Sequence, residues 1–171
     1  MMQESNLTNL PCTAAEFGDL SADLLKMGKQ VRFRARGYSM TPLVRDMDVL
    51  LVQPVRTSLI RIGDIILCSI QPDRVVVHRV IRRRSDLHGF YFMVQGDRAA
   101  QPDGWIQQSQ VLGRVAEVER GELHLDMHSP AARGIALFAV LSSRRPTGRG
   151  WFTRIAGGWI KRLPVFSKYL N

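Results

Sequence analysis

Apolar residues recur at two different spacings along this chain of 171 residues. Between Thr13 and Gly28 they stand three or four positions apart, which predicts a short amphipathic helix. Thr13 followed by Glu16 has the form of a capping box at the start of this helix, and Gly28 suits its end. Residues 1–30 are therefore interpreted as an N-terminal helical segment.

From residue 31 to residue 128 the pattern changes to short apolar runs separated by turn residues. The first run, "VRFRAR", alternates apolar and basic positions, whereas "DVLLVQ" and "DIILCSI" are almost continuously apolar. The runs follow one another about every ten residues with no helical pattern between them. This spacing predicts a mainly β domain with an antiparallel sheet.

The remaining residues, 129–171, form a basic amphipathic tail in which the patterns predict C-terminal helices. The tail carries eight of the 24 Lys and Arg residues and none of the 15 Asp and Glu residues, so the rest of the chain is nearly neutral. Trp, Ile and Phe alternate with bases in "WFTRIAGGWIKRLPVFSKYL", which is typical of a helix at an anionic membrane surface. A helix docked on the β domain is the alternative, and nucleic acid is the less favoured partner.

Targeting signals and cofactor motifs are not found in the sequence. The N-terminus lacks the basic and apolar regions of a secretory signal, and no apolar run is long enough to span a bilayer. Cys12 and Cys68 match no metal or redox spacing, so no cofactor is expected. We therefore expect a cytoplasmic protein that is peripheral at the membrane if its tail binds lipid.

A candidate nucleophile, Ser39, stands in the turn-like string "GYSMTP". A serine hydroxyl needs a base to take its proton. No lysine occurs between Ser39 and Asp126, but His78 lies within the strand-like run "VVVHRV". An ionisable ring in such an apolar run requires a partner or a role as a base. The alternative is a satisfied core histidine.

Two aspartates follow in a loop between strands, in "VQGDRAAQPDGW". Either Asp97 or Asp103 could accept the imidazole N–H and stabilise the imidazolium, which is the third role in a catalytic triad. Ordinary turn chemistry is the competing explanation for both, because Gly-Asp and Pro-Asp-Gly favour turns. The sequence leaves open which of the two contacts the histidine.

Five strings, taken together and in this order, resemble the signal peptidase I superfamily. They are "GYSMTP", "RIGDIIL", "VVVHRV", "VQGD" with a second Asp six residues on, and "VLGRVAEV". The resemblance spans about residues 32 to 118 and is to the serine-histidine branch found in archaea and the endoplasmic reticulum. This superfamily shares its antiparallel β-fold with SOS-repressor-type peptidases. The resemblance therefore implies a serine endopeptidase.

The resemblance also implies residue roles. Ser39 would be the nucleophile, His78 the general base, and the two aspartates, Asp97 and Asp103, the acidic residues that complete the site. The oxyanion would be met by the Ser39 N–H, with a possible second donor in the Gly37–Tyr38 region. Met40 and Pro42 would shape the turn and the substrate pocket. Substrates would be extended peptides or precursor proteins that add a strand to the sheet.

The chain departs from the family pattern at three places. Met47-Asp48 stands where Gly-Asp is usual, and Gly96-Asp97-Arg98 stands where Gly-Asp-Asn is frequent. The family's membrane helix before the nucleophile has no counterpart here. These departures bear on the local turns and on the processing of exported precursors, not on the chemistry.

Two other functions fit the same residues. The domain could be a self-cleaving or peptide-sensing regulator, or a catalytically inactive peptide-binding module. His124, Asp126 and His128 would share one face of a strand, which gives three candidate metal ligands. A solvated strand face is the preferred interpretation of that triplet, so we expect no metal.

Overall fold

The computed structural model describes residues 12–130, 132–134 and 140. This part of the chain contains one helix of regular length followed by eight strands, so the predicted mainly β fold with an N-terminal helix is confirmed. The elements are α1 (Ala14–Lys26), β1 (Val31–Arg34), β2 (Val49–Gln53), β3 (Ile65–Gln71), β4 (Arg74–Asp86), β5 (Gly89–Gln95), β6 (Gly104–Gln107), β7 (Val111–Arg120) and β8 (Leu123–Asp126).

Helix α1 begins at the predicted capping box. The Thr13 hydroxyl accepts the Glu16 N–H at 3.2 Å, and the Glu16 carboxylate accepts the Thr13 N–H at 2.7 Å. The hydrogen bonds that the ionised carboxylate accepts from the Thr13 N–H and hydroxyl lower the pKa of Glu16. The helix packs on the sheet through its apolar face: Leu25 is buried, and the ring of Phe17 meets that of Phe33 edge-on at 4.9 Å.

The strands form one antiparallel sheet in the order β1-β2-β7-β3-β4-β5-β6, curled into a half-barrel. Strand β7 is long enough to pair with β2 and β3 along its length and with β8 near its end. Strand β4 lies between β3 and β5, and Arg79 on it faces Ile65 on one side and Gln95 on the other. The curl brings loops distant in the sequence toward β4.

Apolar side chains are buried on both faces of the sheet, which explains the continuously apolar runs. On β3, Ile65 and Leu67 belong to one core cluster, whereas Ile66 and Cys68 belong to another. Alternate residues of a strand point to opposite faces, so a strand between two cores is apolar at every position. "DIILCSI" is such a strand.

The predicted C-terminal helices fall mostly outside the described residues. Pro130, residues 132–134 and Val140 are in helical conformation, and the Ser129 hydroxyl accepts the Ala132 N–H at 3.2 Å. The membrane-binding tail predicted beyond them lies outside the described residues. Within the described ranges, no helix has the length and apolar character needed to cross a bilayer.

Candidate active site

The candidate nucleophile lies in the loop between β1 and β2, and backbone hydrogen bonds fasten the two arms of this loop together. Ala35 donates to the Asp48 carbonyl at 2.7 Å and accepts from the Met47 N–H at 2.9 Å. Closer to the tip, the Gly37 N–H donates to Asp46 Oδ1 at 2.8 Å, and Gly37 has a φ of +95° that favours glycine. The loop is therefore held in one shape at its base.

Within this loop, neighbouring residues differ sharply in exposure. The side chain of Met40 is buried in the core cluster with Leu43 and Val44, whereas Ser39 is exposed. The buried methionine anchors the turn from below, so the hydroxyl of the preceding serine is presented at the surface. Pro42, half-buried, follows a cis Thr41–Pro42 peptide in the same turn.

The hydroxyl of Ser39 lies against the imidazole of His78. Ser39 Oγ and His78 Nε2 are 3.0 Å apart, which is hydrogen-bond distance. His78 is buried, with 5% of its surface exposed, because β4 carries it between β3 and β5. A base in this position can take the hydroxyl proton directly.

The other imidazole nitrogen meets a carboxylate. Asp103 Oδ2 lies 2.6 Å from His78 Nδ1. Asp103 immediately precedes β6 and is held by its own N–H, which donates to the Val94 carbonyl at 2.9 Å. Its second oxygen lies 3.5 Å from Arg74 Nη2. Serine, histidine and aspartate thus stand in the order of a catalytic triad.

The other candidate aspartate has a different partner. Asp97 makes two hydrogen bonds to the Arg79 guanidinium, at 2.7 and 2.6 Å. Arg79 has no exposed surface, and it also donates to the Gly63 carbonyl at 2.8 Å. His78 and Arg79 are consecutive on β4 and point to opposite faces, so each takes its own carboxylate. Asp103 is therefore the aspartate beside the histidine.

Arg79 was missed by sequence reasoning. The signal available was a second ionisable residue in the same apolar run as His78, followed on the next strand by a Gly-Asp pair. An arginine in the interior requires a paired carboxylate. That requirement could have assigned Asp97 to Arg79 and left Asp103 for the histidine.

The loop after β5 touches the nucleophile directly. The Arg98 N–H donates to the Ser39 carbonyl at 2.8 Å. A Cβ built on Gly96 would lie 3.0 Å from Ser39 Cβ and 3.1 Å from His78 Nε2, which is tighter than ordinary contacts. Glycine at this position therefore allows the loop to close on the serine-histidine pair.

The predicted oxyanion donors are only partly free. Among the described residues, none accepts a hydrogen bond from the Ser39 N–H or from the Tyr38 N–H. The Gly37 N–H, in contrast, is already donated to Asp46. The N–H groups of Ser39 and Tyr38 thus have no acceptor among the described residues, whereas that of Gly37 is engaged.

The His-Asp-His triplet does not assemble into a metal site. His124 Nδ1 contacts Glu117 at 2.5 Å, and His128 Nε2 contacts Gln53 at 3.3 Å. In the part of the chain that the structure describes, no group of three or more His, Cys, Asp or Glu residues could hold a metal ion.

Comparison with known proteins gives no assignment: no protein-family model matches the chain, and no curated protein matches it.

Proposed function

We propose that this protein is a serine endopeptidase of the signal peptidase I type, which cleaves a peptide or precursor protein by acyl transfer. The observation that carries the proposal is the contact chain from Ser39 Oγ to His78 Nε2 and from His78 Nδ1 to Asp103 Oδ2, at 3.0 and 2.6 Å. A nucleophile hydrogen-bonded to a base, and that base hydrogen-bonded to a third group that orients it, is the geometry that nucleophilic catalysis requires.

The proposed reaction has two halves. Ser39 Oγ attacks the scissile carbonyl while His78 Nε2 takes its proton, and Asp103 holds the Nδ1–H and stabilises the imidazolium. The C–N bond then breaks as His78 returns the proton to the leaving amine, which leaves an ester on Ser39. Water, activated by the same imidazole, hydrolyses the ester and restores the serine.

The negative oxygen of the tetrahedral intermediate needs donors. Neither the Ser39 N–H nor the Tyr38 N–H donates to another described residue, whereas the Gly37 N–H donates to Asp46 Oδ1. A donor aimed at the developing oxyanion contributes about 2.7 to 4 kcal/mol to the transition state. The proposal therefore assigns this role to Ser39 and Tyr38 and not to Gly37.

The cellular setting is part of the proposal and depends on the sequence alone. We place cleavage in the cytoplasm, on an extended precursor segment, with the basic tail holding the enzyme at an anionic membrane surface. Co-sedimentation with phosphatidylglycerol vesicles should be lost when the chain is truncated after Ser129; binding that persists in the truncated chain would contradict this role of the tail.

The decisive experiment compares wild type with Ser39→Ala and His78→Ala on a peptide library. Cleavage should fall at least about a thousandfold in each variant, since the two groups act as one unit. Ser85→Ala and His88→Ala, exposed near the remote tip between β4 and β5, serve as matched controls.

The alternatives give different outcomes in the same assay. An inactive binding module would bind peptides equally well with or without Ser39 and would cleave none. A self-cleaving regulator would cut its own chain at a rate independent of protein concentration and leave library peptides intact. Either result would overturn the proposal of an endopeptidase acting on other chains.

A further inference from the structure

Arg98 is held beside the candidate nucleophile by its backbone. Its N–H donates to the Ser39 carbonyl at 2.8 Å. A Cβ built on Gly96, two residues earlier, would lie only 3.0 Å from Ser39 Cβ, so the whole turn is close to the serine. Arg98 itself is exposed. Its side chain therefore leaves the protein surface from a point that is fixed next to the nucleophile.

The guanidinium of Arg98 makes no hydrogen bond or ion pair with the described part of the chain. The nearest carboxylate in the sequence, Asp97, binds the Arg79 guanidinium through both of its oxygens, at 2.7 and 2.6 Å. The Asp97 side chain is only 3% exposed, because it turns inward to this partner. Arg98 therefore carries a charge that its own neighbour does not balance.

The other carboxylates of the site are engaged as well. Asp103 contacts His78 Nδ1 at 2.6 Å and Arg74 Nη2 at 3.5 Å. Asp46, in the loop that carries the serine, accepts the Gly37 N–H at 2.8 Å. The site thus presents a cation to solvent beside the nucleophile, and no carboxylate of the described residues is paired with it. A charge in this position attracts an acidic group on an approaching ligand.

We propose that Arg98 selects peptide substrates that carry an acidic residue close to the scissile bond. This inference rests on the proposed endopeptidase function, because a peptide attacked by Ser39 Oγ must pass the residue whose N–H binds the Ser39 carbonyl. An extended peptide advances about 3.3 Å per residue, so the three residues on either side of the cut lie within about 10 Å of it. Charges interact over that distance at an ionic strength of about 0.1 M.

The test compares peptides that differ in one charge. A library peptide that wild type cleaves is remade with Glu, Gln or Lys in turn at each of the three positions on either side of the cut. At one position or more, wild type should show a kcat/KM about tenfold higher for the Glu form than for the Gln form. Arg98→Gln should cleave the two forms equally, and Arg98→Glu should prefer the Lys form.

The kinetic constants distinguish substrate selection from damage to the site. Arg98→Gln keeps the backbone N–H that binds the Ser39 carbonyl, so KM for the Glu form should rise about tenfold while kcat stays within about twofold of wild type. The wild-type preference should also shrink when the NaCl concentration is raised from about 0.05 to about 0.5 M. Arg56→Gln, exposed beyond the far end of β2, is the matched control and should keep the wild-type preference.

The outcomes separate this inference from the proposed function. If wild type cleaves no peptide, the proposed function fails and the inference fails with it. If wild type cleaves the Glu and Gln forms equally at every position, or if Arg98→Gln keeps the preference for Glu, only the inference is overturned. It is also wrong if Arg98→Gln loses kcat on the Gln form, since the side chain would then support the catalytic turn. Loss of binding to phosphatidylglycerol vesicles with an unchanged preference for Glu would assign the side chain to lipid instead.

Discussion

Replacing each of the two loop aspartates by asparagine should separate catalysis from stability. Asp97 and Asp103 are six residues apart in one loop, yet their carboxylates meet Arg79 and His78, respectively. Asparagine keeps the shape of the side chain and removes its charge. The two variants should therefore fail in different ways.

The effect of Asp97→Asn should be on stability. Arg79 has no exposed surface and the Asp97 side chain is only 3% exposed, so the substitution leaves a guanidinium buried without a counter-charge. Breaking such a pair costs about 3 to 5 kcal/mol in the free energy of unfolding. For a chain of this size, that corresponds to a fall in melting temperature of roughly 6 to 20 °C.

The effect of Asp103→Asn should be on catalysis. An amide has no charge to stabilise the imidazolium, and its NH2 group can donate to Nδ1 and fix the wrong tautomer of His78. The loss in kcat for this change in a triad is about 10⁴-fold. Stability should change little, because an amide can still hydrogen-bond to His78 and the charged partner left behind, Arg74, is mostly exposed. The expected pattern is an inactive protein with nearly the wild-type melting temperature.

Thermal unfolding measures the stability of each variant, and kcat, measured below the melting temperature of every variant, measures its catalysis. The double variant Arg79→Met/Asp97→Leu is the control, because replacing both charges by apolar groups should recover most of the lost stability. A kcat of Asp103→Asn within tenfold of wild type would refute the role of Asp103 beside His78. An Asp97→Asn variant as stable as wild type would refute the role of Asp97 as the counter-charge of Arg79.

Two further predictions concern close packing and burial. Gly96→Ala should lower kcat about 10- to 100-fold with little change in melting temperature, because the added methyl pushes the serine and histidine apart. The control is Gly134→Ala, where a Cβ meets nothing within 4 Å. An unchanged kcat in Gly96→Ala would contradict the close approach of this loop to the serine and histidine. Burial, aided by the charge of Asp103, raises the pKa of the Cys68 thiol to about 12, so about one thiol in 10⁴ is ionised at pH 8. Iodoacetamide at that pH should label the exposed Cys12 alone in the native protein and both cysteines in urea, and labelling of native Cys68 would show that its strand is not buried.

The sequence by itself determined most of the elements, because their signals are local; β6 (Gly104–Gln107) was not among the predicted strands. Alternation and continuous apolar runs reflect which faces of a strand are covered, and a capping box needs only Thr13 and Glu16. The shortlist of chemical groups was local as well: a serine at a turn, a histidine in an apolar strand and two aspartates in a loop. Residue types and order were enough for that shortlist.

Tertiary structure alone decided which of these groups meet. Strand register and the curl of the sheet set the distance from Ser39 to His78 and give Asp103 to the histidine and Asp97 to Arg79. These contacts join loops and strands far apart in the chain, and a pattern of a few neighbouring residues carries no information about such distances. The positive φ of Met47 was likewise decided by the tertiary structure, because it depends on how the hydrogen bonds join the two arms of the loop.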